Sequence, residues 1–73
     1  MWHDGALFCN RVDADGELIA QVARNARDDW AAFDTLKLNP EGNGYLKVKA
    51  GFATAAAAKA FVDECIANEG WHA

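Results

Sequence analysis

A chain of 73 residues with a formal net charge of −4 makes one small domain with little room for a deep catalytic cleft, because small folds bury a smaller share of their surface than large ones. The excess of carboxylates argues against a general nucleic-acid binder and against a membrane-surface binder, both of which need clustered Lys and Arg. No apolar run approaches the roughly 20 residues that cross a bilayer, and Met1-Trp2-His3-Asp4-Gly5 has neither a basic segment nor an apolar signal core, so the expected compartment is cytoplasmic.

Residues 6–12 are short, apolar and rich in strand formers. Asp13-Ala14-Asp15-Gly16 follows, with the acidic residues and closing glycine of a type I hairpin turn. The second arm is then Glu17 to Arg24. A competing pattern runs through the same stretch: Ile19, Val22, Ala26, Trp30 and Phe33 recur at helical spacing, and Asp15 would cap that helix. The hairpin gives a four-stranded sheet and the helix a three-stranded one. The turn chemistry favours the hairpin.

Asn25 to Asp29 is polar and reads as a loop, and a strand over about 33–38 ends at Asn39-Pro40-Glu41-Gly42-Asn43-Gly44, the clearest loop in the chain. From Tyr45 to Phe52 the period is two, with Leu46, Val48, Ala50 and Phe52 on the buried side and Tyr45, Lys47 and Lys49 on the other. After Gly51 the period lengthens to that of a helix. Ala58, Phe61, Val62, Cys65 and Ile66 form its apolar stripe, Thr54 is its N-cap, and Gly70 is its left-handed stop. The fold class is therefore α+β, a small antiparallel sheet of three or four strands packed on one face by a C-terminal helix over about 54–69.

Large apolar side chains from Leu7 and Phe8 through Leu36, Leu38 and Val48 to Phe61 and Ile66 are enough for one sheet under one helix. A core of this size rarely supplies more than about 3–5 kcal/mol. A homodimer is a reasonable expectation on that ground.

No cofactor or metal is expected. His3, Cys9, Cys65 and His72 lack the close ligand pairs of structural zinc sites, and the cysteines read as free thiols. The chain has no Ser, no nucleophile elbow and no phosphate-cradling glycine loop. Asp28, Asp29 and Asp34 could pair as carboxylates but read more simply as a solvated loop.

What remains is surface. Acidic residues gather at Asp13, Asp15 and Glu17, at Asp28, Asp29 and Asp34, and along Asp63, Glu64 and Glu69, and such a surface either keeps the chain soluble or steers it towards a basic partner, including one that normally holds nucleic acid. Trp2 and Trp71 fall outside the expected elements and are either candidate anchors at an interface or caps on the edge of the core. Small acidic chains without motifs are common among phage and mobile-element proteins that block host machinery, such as anti-CRISPR proteins and polymerase inhibitors. The expectation is a non-enzymatic protein-binding inhibitor or modulator using Asp13, Asp15, Glu17, Asp28, Asp29, Trp2 and Trp71. A nucleic-acid binder using Tyr45, Lys47 and Lys49 on the open sheet face is the alternative, and a small metal-binding or catalytic protein the third.

Overall fold

The computed structural model describes residues 1–25, 28–39, 42 and 44–71. Expectations that fall on Ala26, Arg27, Pro40, Glu41, Asn43, His72 and Ala73 lie outside the described residues. One antiparallel sheet holds β1 (Trp2–Asp4), β2 (Phe8–Val12), β3 (Leu18–Arg24), β4 (Trp30–Leu38) and β5 (Tyr45–Phe52) in that spatial order. The helix α1 (Ala55–Ala67) packs across one face.

The α+β class stands, with five strands in place of three or four. The added strand, β1, is too short to show a period. It is held by its neighbour: Trp2 pairs with Arg11, Asp4 pairs with Cys9, and the Val12 amide donates to the Met1 carbonyl at 2.9 Å.

Residues 17–33 are not one helix. The Asp13 carboxylate accepts from the amides of Asp15 and Glu17, both at 2.9 Å, and Gly16 turns the chain at φ 81. Those bonds hold the hairpin turn and leave no Asp15-capped helix to start. The next strand begins at Trp30 instead of Phe33, because Arg24 pairs with Trp30.

Directly paired residues of an antiparallel sheet share a face. One row beneath α1 runs Trp2, Arg11, Ala20, Asp34, Leu46, and the next runs Asp4, Cys9, Val22, Ala32, Lys49. On the opposite face a row runs His3, Asn10, Gln21, Phe33, Lys47.

Lys47 and Lys49 do not share a face. Between Trp30 and Ala32, and again between Ala32 and Phe33, β5 carries an extra residue relative to β4, and Gly51 adopts φ 88. Such bulges reverse the alternation. The Lys49 ammonium sits 5.6 Å from the Phe52 ring centre and 5.3 Å from that of Phe61, on the helix side, whereas Lys47 lies 5.8 Å over Phe33. The strict period of two expected for Val48 and Ala50 fails for the same reason, and both are exposed.

The buried core consists of small side chains, Cys9, Ala20, Val22, Ala32, Ala58 and Val62, closed by Trp71. Alanines on both elements let α1 lie close to the sheet. A helix of 13 residues is only about 20 Å long, so it covers the middle of one face. Leu7, Phe8, Leu36, Leu38 and Val48, expected inside, therefore stand exposed.

Thr54 caps α1 by accepting from the Ala57 amide at 3.1 Å. The helix ends at Ala67, short of the expected limit, and its left-handed residue is Glu69 at φ 57 rather than Gly70. The Gly70 amide reaches the Cys65 carbonyl at 2.8 Å and the Glu69 amide reaches that of Ile66 at 3.1 Å. This is a Schellman closure, whose left-handed position precedes the residue making the longer-span bond.

Candidate interaction surface

Successive antiparallel strands put successive connections at opposite ends of a sheet. The turn with Asp13, Asp15 and Glu17 therefore lies at the end where α1 finishes, and the turn with Asp28 and Asp29 at the end where α1 begins. The acidic residues grouped from the sequence are split into two sites.

At the far turn, Asp28 is left-handed at φ 64 and forms an exposed ion pair with Arg24 at 3.0 Å. Asp29 Oδ1 is buried without a hydrogen-bond partner among the described residues. Asp34 does not join them. It lies in β4 beneath the helix, 2 % exposed, with its carboxylate accepting from the Leu36 amide at 3.0 Å. Among the described residues no group of three His, Cys, Asp or Glu side chains could hold a metal ion. Cys9 and Cys65 are free thiols, buried and half-buried.

Both terminal-region tryptophans are engaged inside the molecule. The Trp2 indole N–H donates to the Asp63 carboxylate at 3.1 and 3.2 Å, and Arg11 Nε reaches the same group at 3.2 Å. Lys59 stands 5.6 Å over the Trp2 ring and donates to Asp4 at 2.5 Å. These contacts fasten β1 to α1. The Lys59 hydrogen bond, followed by one from Cys9, holds the Asp4 carboxyl below its ordinary pKa, and the hydrogen bond to Asp4 raises that of Lys59. Burial, followed by the Asp4 hydrogen bond, pushes the Cys9 thiol up. Trp71 is buried in the core, and its indole N–H donates to the Ile19 carbonyl at 2.9 Å. Neither ring is presented as a free anchor.

The near turn borders a feature that no local sequence signal marks. Val12, Asp13, Ala14, Ile19 and Ile66, together with Met1, Arg11 and Gly16, line an open, mostly apolar hollow of about 610 Å³. Its walls come from β2, the β2–β3 turn, β3 and the last turns of α1, so only folding assembles it. Asp15 and Glu17 stand exposed beside it. At the same end Leu38 pairs with Tyr45, and these are 79 % and 37 % exposed. The Thr35 hydroxyl donates to the Leu18 carbonyl at 2.9 Å, which ties this hairpin to the strand leaving the acidic turn.

An apolar concavity with carboxylates on its rim can receive an apolar side chain that is flanked by cations. No helix among the described residues is long and apolar enough to cross a membrane. Searches with protein-family models, curated proteins and solved structures return no match to this chain.

Proposed function

We propose that this chain is a non-enzymatic protein-binding module that docks through the end of the sheet where α1 finishes, and that it inhibits or modulates its partner by covering a basic surface. The hollow beside the Asp13–Glu17 turn carries the reading. Its volume falls within the roughly 300–1,000 Å³ typical of binding clefts. Its apolar floor supplies burial, and Asp15 and Glu17 supply attraction for cations around the inserted side chain.

The acidic rim fits the net charge of −4. Asp13 serves the site indirectly by holding the turn, since its carboxylate is occupied with the amides of Asp15 and Glu17. Asp28 and Asp29, at the opposite end, have no part in this surface, Trp71 supports it from within through its bond to Ile19, and Trp2 is not among the lining residues.

Capture from cell extract at low and high salt tests the proposal. The wild-type chain is compared with Ala14→Arg, which fills the hollow, and with an Asp15→Lys, Glu17→Lys pair. A protein retained by the wild type at low salt, weakened by salt and lost with both variants is the expected result. An unchanged set of captured proteins would remove the proposal.

A further inference from the structure

The sheet face opposite α1 carries a pattern that net charge conceals. The row His3, Asn10, Gln21, Phe33, Lys47 crosses all five strands. Phe8, 45 % exposed, belongs to the same face, because it alternates with Cys9, which points towards the helix. None of these strand positions holds a carboxylate. Asp4 and Asp34 occupy helix-side rows, and the other described acidic residues lie in turns, on α1 or just after it.

We infer that this face binds a short single strand of nucleic acid. Aromatic rings on an open sheet offer stacking surfaces that any base can use. Phe33 stands in the row that crosses all five strands, and Phe8 stands on the same face two strands away, so two rings are offered to bases. Gln21 donates to Asn10 at 3.0 Å, which holds two amides in the same row where they can meet base edges. Lys47 is exposed and touches Phe33 only through a cation–π contact, worth about 0.5–1 kcal/mol at such a site. It can swing from the ring to a phosphate as a base takes its place.

The chemistry dictates an unusual salt response. One lysine gives a slope of about −0.7 in log affinity against log salt, so binding is weak, led by stacking and only mildly weakened by salt. This proposal is independent of the hollow at the end of the sheet.

Fluorescence anisotropy with a short labelled oligothymidine tests it. Saturable binding at low salt is expected, weakened about tenfold by Phe33→Leu, which removes one stacking surface. Lys47→Gln lowers affinity and flattens the salt dependence, whereas Lys49→Gln, on the helix side, leaves both unchanged. Circular dichroism confirms that each variant is folded, and the exposed Lys47→Gln keeps the test valid if Phe33→Leu is not. No binding at low salt, or equal losses from the Lys47 and Lys49 variants, overturns the inference and leaves the face to a protein ligand.

Discussion

The indole N–H of Trp71 donates to the carbonyl of Ile19, a 2.9 Å bond between residues 52 apart in sequence. It joins the segment after α1 to the centre of the sheet, and the buried ring closes a core otherwise made of small residues. Trp71→Ala is expected to cost about 3–5 kcal/mol, most of the stability that a domain of this size holds. Trp71→Phe keeps the bulk and loses the hydrogen bond, at about 0.5–1.5 kcal/mol. Urea titrations followed by circular dichroism distinguish the two.

Val62 and Phe61 are adjacent on α1 but differ in environment, since Val62 is 0 % exposed and Phe61 is half-buried against Phe52 at 5.4 Å between ring centres. Val62→Thr keeps the shape and buries a hydroxyl, which should cost about 1–3 kcal/mol. Phe61→Leu should cost under about 1.5 kcal/mol, because its rim position lets neighbours adjust. Equal losses would show that the helix is rotated from the position described.

Glu69 holds the left-handed position after α1 at φ 57, and Gly70 does not. Glu69→Gly should therefore stabilise the chain by about 0.5–1 kcal/mol through relief of the Cβ clash. Gly70→Ala should be close to neutral, because a Cβ there meets the Cys65 carbonyl oxygen at an ordinary 3.7 Å. Thermal melts of the two variants test which residue makes the turn.

The Asp4–Lys59 pair has a defined pH window. Asp4 titrates below its ordinary value of 3.8 in the folded chain, so its contribution is present above 3.8 and lost as the pH falls through the lower folded value. Lys59 titrates above its ordinary 10.5, so its contribution is present below 10.5 and lost as the pH rises through the higher folded value. Melting temperature should therefore lose a small acid-side and a small alkaline-side component in Asp4→Asn, with little change in slope between them.

Cys9 is buried and its thiol is pushed up by burial, whereas Cys65 is half-buried. Alkylation of the native chain at mildly alkaline pH should modify Cys65 first, and Cys9 should react only at the rate of unfolding. Mass spectrometry of a time course reads both sites. Prompt labelling of Cys9 would contradict its burial in the core with Ala58 and Val62.

Local chemistry written into the residues was enough to specify the second hairpin turn and the helix start. Asp13 and Gly16 complete their turn within a few residues, and Thr54 satisfies an amide three positions on. The C-terminal helix follows from a hydrophobic period that acts over a few turns of chain, β3 follows from the turn that precedes it, and β5 is extended as expected although its period is broken. The α+β class was legible for that reason.

The tertiary structure decided what depends on distant partners. β1 exists because Arg11, Asp63 and Lys59 hold it, and no segment as short as Trp2–Asp4 has a period of its own. The bulge between Lys47 and Lys49 that sends them to opposite faces arises from fitting β5 to β4, a constraint invisible in β5 alone. The hollow joins Ile19 to Ile66, and the open-face row takes one residue from each strand. Periodicity reports how a segment relates to its nearest surface, whereas a binding surface is set by which segments the sheet register brings side by side.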